Sequence, residues 1–307
     1  MKVLLFGGTG SLGKSLLKKL QNEYEICVFS RCEEKHVKIK QQYPQVRSII
    51  GDVRDCDSVK RALSIIKPQI VINAAALKNV PECEYFPAEA MKTNTIGTLN
   101  IVNALESYNG TPIKSLFVST DKCVKSVNAY GMSKALAERI HLTSQNCIAN
   151  AVRYGNVLSS RGSVIPIFKK MVNEKRQLTV TQANMTRFFL SLDQAVDLIT
   201  IALKDHTGGN VFVPKVPSAK IMDLARIMDP KRDPKISGIR PGEKIDEILI
   251  SEEELVRTEE RGDIFVIHDI KSDKRFFDLH TEYSSKSDLM TKDQLEEFLI
   301  KHGVFDE

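Results

Sequence analysis

The chain has 307 residues, 42% of them hydrophobic and 27% charged, with 44 Lys and Arg against 39 Asp and Glu for a formal net charge of +5. That balance excludes a chain that is mainly disordered, and 16 glycines and 11 prolines exclude collagen-like and proline-rich classes. The mild positive charge is interspersed and forms no basic arm, so no nucleic-acid partner is expected, and an anionic small ligand fits the charge just as well.

The length suits one large domain, or a domain with a smaller lobe. Residues 3–6 form a short apolar run before glycines, which predicts a buried strand and is too short for a signal peptide. Leu12, Leu16, Leu17 and Leu20 then recur at the spacing of one helix face. Strands follow at 25–29, 46–50, 70–73, 115–119 and 149–153, with helices at 58–66, 88–108 and 130–144 between them. Strands alternating with helices predict βαβ units, and hence an α/β fold: a Rossmann-type doubly wound parallel sheet. After about Gly155 the pattern loosens into loops rich in Gly, Ser and Pro with short helices between them. The expected organisation is a dinucleotide-binding domain over 1–155 and a smaller C-terminal substrate-binding lobe over 156–307, with some later segments returning to the sheet. A helix is expected at 291–302. No apolar stretch is long enough to span a membrane. The six cysteines form no Cys-x-x-Cys pair and no zinc-ligand spacing, so no metal is expected, and reduced thiols in a cytoplasmic protein are.

Gly7-Gly8-Thr9-Gly10-Ser11-Leu12-Gly13 lies between the first strand and the first helix. Glycines there allow a pyrophosphate to approach the backbone, and the helix start supplies N–H donors and a positive dipole end. The second strand ends Phe29-Ser30-Arg31 with no acid for a ribose 2′-hydroxyl, while Arg31 suits a 2′-phosphate, which favours NADP over NAD. A solvated surface arginine is the plain alternative. Asp52 and Val53 follow the third strand and would flank the adenine, although Asp52 equally suits a helix cap. Tyr130 and Lys134 lie four apart on one helix face, ten residues after Thr120. An ammonium near the phenol favours phenolate, a base for a sugar hydroxyl.

With those segments in place, the chain resembles the extended short-chain dehydrogenase/reductases. More narrowly, it is similar to the soluble UDP-N-acetylglucosamine 4,6-dehydratases that invert C5, within the CapD-like polysaccharide-biosynthesis group. The resemblance rests on Asn73 to Val80, Ser119-Thr120-Asp121-Lys122, Tyr130 to Lys134, Arg153-Tyr154-Gly155-Asn156, Ser160 to Val164, Met185-Thr186-Arg187 and Ile239 to Lys244. Retaining, membrane-anchored relatives carry Met where Tyr130 stands, so the tyrosine points to the inverting branch. Cys123 to Ser126 and the tail after Glu282 depart from the group's pattern.

The resemblance implies catalysis by Thr120, Asp121, Lys122, Tyr130 and Lys134. Asp121 would protonate the C6 hydroxyl and Lys122 would remove the C5 proton, though the residues alone leave open which does which. It implies cofactor contacts from Gly7, Thr9, Gly10, Ser11, Leu12, Gly13, Ser30, Arg31, Asp52, Val53, Ala74 and Lys78, with Tyr130 and Lys134. It implies UDP-sugar contacts from Leu77, Thr93, Asn156, Arg161, Gly162, Ser163, Val164, Arg187, Arg240 and Glu243. Related enzymes pair helices between subunits, so a homo-oligomer is expected. An NADP-dependent nucleotide-sugar epimerase or ketoreductase, a C5-retaining dehydratase and a non-catalytic dinucleotide-binding scaffold are the competing readings.

Overall fold

The computed structural model describes residues 1–110, 113–158 and 162–306. Its first half runs β1 (Lys2–Phe6), α1 (Ser11–Leu20), β2 (Glu25–Ser30), α2 (Glu33–Gln42), β3 (Arg47–Ile50), α3 (Cys56–Ile66) and β4 (Ile70–Asn73). It continues with α4 (Val80–Tyr85), α5 (Pro87–Ala90), α6 (Gly97–Glu106), β5 (Ile113–Val118), α7 (Ala129–Leu142) and β6 (Cys147–Val152).

These six strands pair in parallel within a nine-stranded sheet. From one edge the order is β3, β2, β1, β4, β5, β6, then Val211–Pro214, Ile264–Ile267 and Thr258–Arg261. Val211–Pro214 extends the parallel set, and the last two strands add an antiparallel edge. The order reverses between β1 and β4, which opens a crevice at their carboxyl ends.

The sheet is buried on both faces, as a parallel sheet must be. Along β1, Val3 and Leu5 join one core with Leu16, Leu17 and Leu20 of α1, while Leu4 and Phe6 join another with Val59, Ala62 and Leu63 of α3. A separate core gathers Ile165, Phe168, Phe189, Leu224, Leu295 and Leu299 from the later segments. Leu295 and Leu299 come from a helix at Lys292–Lys301, which starts with a capping box at Thr291 and Gln294.

Two elements differ from expectation. α2 is unexpected because it buries only His36 and Ile39, too few to mark a face in the sequence. The expected helix over 88–108 is broken by a π-helical segment at Met91–Ile96, between α5 and α6. There the Asn94 carbonyl accepts the Thr98 hydroxyl at 2.7 Å, and the Asn94 amide is drawn off to other partners.

Candidate active site

The glycine turn sits at the carboxyl end of β1 against β4. Gly7 has φ +79°, and a Cβ there would lie 2.7 Å from the Ala74 oxygen. A Cβ on Gly13 would lie 2.2 Å from the Gly8 oxygen, so this glycine lets α1 press on the turn that precedes it. Gly10 starts α1 with no side-chain cap, and no acid stands in the first turn that Ser11 and Leu12 open. The amides of that turn are offered to an anion, and the residues fit a dinucleotide's pyrophosphate.

At the end of β2, the Thr9 hydroxyl donates to Ser30 Oγ at 3.1 Å, and Ser30 Oγ lies 2.9 Å from Nε2 of buried His36. Asp52 is not a helix cap. Asp55 caps α3, accepting from the Asp57 and Ser58 amides. The Asp52 carboxylate instead takes Arg54 Nη2 at 2.6 Å and Nε at 2.8 Å, with Arg31 Nη1 at 3.6 Å. Against the pull of burial, those guanidinium groups hold the Asp52 carboxyl below its usual range. The Val53 carbonyl accepts from Asn100, and Val53 packs where Gly97 leaves no side chain.

The catalytic candidates converge where β5 ends. Thr120 caps a 3₁₀ turn at Asp121–Cys123, and its hydroxyl donates to Asp121 Oδ1 at 2.9 Å. α7 begins at once beside it. Its cap, Asn128, accepts from the Gly131 amide at 2.7 Å and donates to the Gly242 carbonyl at 2.7 Å. A Cβ on Gly131 would lie 2.1 Å from the Lys122 oxygen, so glycine is what lets the first turn of α7 lie on the Asp121–Cys123 turn. Tyr130 and Lys134 are both buried. Lys134 Nζ donates to the Val118 carbonyl at 2.6 Å and lies 3.8 Å from the centre of the Phe117 ring. Burial pushes Lys134 down to about 7. Burial also pushes the Tyr130 phenol up, opposed by a hydrogen bond with Thr120. The lowering of Tyr130 expected from Lys134 is therefore not seen: burial dominates at the phenol, and the Lys134 head is directed at Val118 and Phe117.

Lys122 Nζ lies 3.0 Å from Asp121 Oδ1, 3.2 Å from Glu247 Oε1 and 3.3 Å from Asn156 Oδ1. Burial opposes its charge, but Asp121 and Glu247 outweigh burial and hold the ammonium above the usual lysine range. Arg187 is buried with its fork spent on the chain: Nη1 donates to the Thr186 and Ile245 carbonyls, and Nη2 to Lys244. It clamps the segment that carries Glu247.

The remaining substrate candidates are distributed around this cluster. The Leu77 amide donates to Asn94 Oδ1 at 2.8 Å, and Asn94 Nδ2 returns to the Leu77 carbonyl at 3.0 Å and reaches Ser133 Oγ at 2.9 Å. The π-helical segment thus ties the end of β4 to α7. Buried Thr93 Oγ1 has no partner among the described residues. Lys78 is exposed just beyond Leu77. Arg240 is largely exposed and pairs with Glu243 at 3.0 Å. Gly162, at φ +76°, and Ser163 precede a helix at Val164–Asn173, and Arg161 lies outside the described residues. Among the described residues no group of three or more His, Cys, Asp or Glu is placed to hold a metal. Sequence reasoning missed Glu247, Asn94 and Asn128, whose roles depend on partners far along the chain.

The chain matches the family model described as "Polysaccharide biosynthesis protein" over residues 3–269. It belongs to that family. It is 39% identical over 277 residues to the UDP-N-acetylglucosamine 4,6-dehydratase (inverting) of Campylobacter jejuni, an alignment covering 86% of this chain and 82% of that one. It is 38% identical over 283 residues to a protein of Rickettsia rickettsii named UDP-glucose 4-epimerase, covering 86% and 82%. The X-ray structure of Pen from Bacillus thuringiensis superposes with a TM-score of 0.91 at 32% identity, covering 99% of this chain and 98% of that one. The Rossmann-type short-chain dehydrogenase/reductase fold expected from the sequence is the fold this family member has.

Proposed function

We propose that this family member acts on nucleotide sugars, as a UDP-N-acetylglucosamine 4,6-dehydratase that inverts C5. The observation that carries the reading is the Asp121–Lys122 pair, 3.0 Å apart and one short turn from Tyr130. Removing water across C5 and C6 needs an acid and a base together. A simple ketoreductase has no use for a second such pair beside its tyrosine. The proposed cofactor is NADP, held by the glycine turn with Arg31 at the end of β2. When bound, it supplies a hydride acceptor for C4 and returns the hydride to C6.

The chain's own residues supply the proton transfers. Thr120 would hydrogen-bond O4, and Tyr130, after giving its phenol proton up to solvent, would take the O4 proton as phenolate. Asp121, protonated in the reactive state, would give its proton to the departing C6 hydroxyl while Lys122, neutral in that state, takes the C5 proton, leaving the pair as carboxylate and ammonium. Lys134 would hold the nicotinamide ribose. Reprotonation of C5 from the opposite face gives the L-arabino keto sugar. Arg240, Glu243 and the helix start at Gly162–Val164 are the proposed diphosphate and ribose contacts. Arg187 serves by holding the 244–247 segment. We place the enzyme in the cytoplasm as a homo-oligomer; among the described residues no helix is long and apolar enough to cross a membrane.

The test is NMR of the product formed from UDP-GlcNAc with no added NADPH. A 4-keto-6-deoxy sugar with inverted C5 is expected. The 38% identity to a protein named UDP-glucose 4-epimerase favours a second reading, 4-epimerisation. That reading predicts UDP-GalNAc with the C6 hydroxyl intact, and its appearance would overturn the dehydratase.

A further inference from the structure

Lys122 stands between two buried carboxylates, Asp121 from its own turn and Glu247, brought from far along the chain by the segment before Ile248–Ile250. Glu247 is seated by its backbone. Its amide donates to Ser285 Oγ at 2.9 Å, and its carbonyl accepts from the Ser285 amide at 2.8 Å. The Ser285 hydroxyl in turn lies 2.6 Å from Thr186 Oγ1. Each carboxylate has one oxygen near Lys122 and one, Asp121 Oδ2 and Glu247 Oε2, with no hydrogen-bond partner among the described residues. A buried charge with half its lone pairs unused is costly unless the charge itself is needed there.

Resting on the dehydratase reading, we infer that Glu247 is a positioning residue for the C5 proton transfer: with Asp121 it fixes the Lys122 head and keeps it protonated at rest. The groups facing Lys122 are Asp121 from its own turn, Glu247, the Asn156 amide and Arg187 from Thr186–Leu190. Lys244 Nζ lies 3.9 Å from Glu247 Oε2, and Arg187 Nε lies 3.8 Å from Glu247 Oε1. Arg187 and Lys244 bring two opposing cations, but Asp121 and Glu247 lie directly on the Lys122 head, at 3.0 Å and 3.2 Å, and the ammonium is favoured. A base must first lose that proton, so Glu247 sets the pH at which Lys122 begins to accept one from C5.

The experiment reads Lys122 twice. One reading is the pH dependence of its acetylation by acetic anhydride, followed by mass spectrometry on the intact holoenzyme; its side chain is 18% exposed, enough for a small reagent. The other is the pH dependence of solvent deuterium entering C5 of UDP-GlcNAc. Glu247→Gln removes one neighbouring carboxylate, which lowers an amine's proton affinity by about one unit or more. At a fixed pH on the rising limb, acetylation of Lys122 should be about tenfold faster. The limb of C5 exchange should move about one unit toward acid. Glu247→Asp keeps the charge on a shorter arm and should give a smaller shift in the same direction; it is the test if the glutamine variant does not fold. An unchanged acetylation midpoint in a natively melting variant overturns the inference and leaves Glu247 a purely structural residue. A shifted midpoint in a chain that forms no keto sugar from UDP-GlcNAc keeps the Glu247–Lys122 coupling and overturns the dehydratase reading instead.

Discussion

The glycine turn and the Lys122 cluster are both polar sites at the carboxyl edge of one sheet, yet they are assembled differently. The turn's own shape comes from near neighbours, Gly10 to Gly7 and Gly13 to Gly8, and its distant contacts, Gly7 to Phe29 and Ala74 and Thr9 to Ser30, are with the adjacent strands β2 and β4. Lys122 is held by Asp121, Asn156 and Glu247, and Arg187 braces the last of these through the Lys244 and Ile245 carbonyls. A site made from consecutive residues is set by backbone geometry. A site made from four segments depends on how the later half of the chain docks, and there the charges decide the chemistry. The two should therefore fail independently when one is damaged.

The sharpest way to break that separation is Lys122→Ala. Losing a general base typically costs about 10²–10⁴-fold in rate. Turnover of UDP-GlcNAc should fall by that factor and deuterium should not enter C5. Cofactor affinity should be unchanged, and absorbance from reduced nicotinamide should build up, because in the proposed mechanism Tyr130 would still serve O4. A variant that also loses its cofactor would show the two sites to be one mechanical unit. Near-normal turnover would make Lys122 a turn residue.

Acid should damage the assembled site before the turn. His141 of α7 is fully buried and stacked on Phe117, ring centres 5.6 Å apart, and burial pushes it down to about 4. A histidine held neutral in the fold but free to charge when unfolded costs stability as pH falls. Its contribution is complete above the unfolded value near 6.5 and is lost on the way down to about 4. The loss is on the order of 3 kcal/mol. Urea melts across that range should show it, and His141→Phe should flatten the dependence. An unaltered slope in that variant would acquit His141. Because α7 also carries Tyr130 and Lys134, catalysis should decline with the melt.

Paired glycine substitutions sharpen the contrast. Gly13→Ala and Gly131→Ala each drive a Cβ into backbone oxygen, at 2.2 Å and 2.1 Å. Each should cost about 1–3 kcal/mol of stability by overpacking. Gly13→Ala should weaken cofactor binding and leave C5 exchange per bound cofactor intact. Gly131→Ala should spare cofactor binding and slow C5 exchange, since it pushes on the Lys122 carbonyl. Calorimetric titration and deuterium exchange distinguish them, and identical profiles would refute the separation.

The same contrast explains what the sequence made legible. The strands of β1, β2 and β4 are almost wholly buried, so they stand out as short apolar runs, and the glycine turn follows β1 directly. Tyr130, Lys134, Asp121 and Lys122 are recognisable as residue types at a spacing. Their environment is not, because whether Tyr130 is acidified or held neutral depends on desolvation by a fold not yet formed. Asn94 looks like one more polar position in a helix until its amide is seen on Leu77 and Ser133. Glu247 meets Lys122 only through tertiary docking, and no local spacing announces it.

The smallest effect concerns cofactor choice at the turn's outer edge. The end of β2 offers no carboxylate, and Glu33 is carried into the first turn of α2, exposed. Ser30 is engaged by Thr9 and His36. Asp52 is already satisfied by Arg54 at 2.6 Å, so its 3.6 Å contact leaves the Arg31 fork, 49% exposed, only loosely held. A 2′-phosphate would find a bidentate donor there, whereas a 2′-hydroxyl would find no acceptor of the kind NAD binders supply. Arg31→Ala should weaken NADP binding about tenfold, or about 1.4 kcal/mol, and leave NAD nearly unchanged. Arg31→Asp should go further and reverse the preference by adding an acceptor and repelling phosphate. Isothermal titration of both nucleotides against each variant measures the ratio directly. If both affinities fall together, Arg31 supports the turn rather than reading the ribose; if neither moves, NADP selectivity must come from elsewhere or the protein uses NAD.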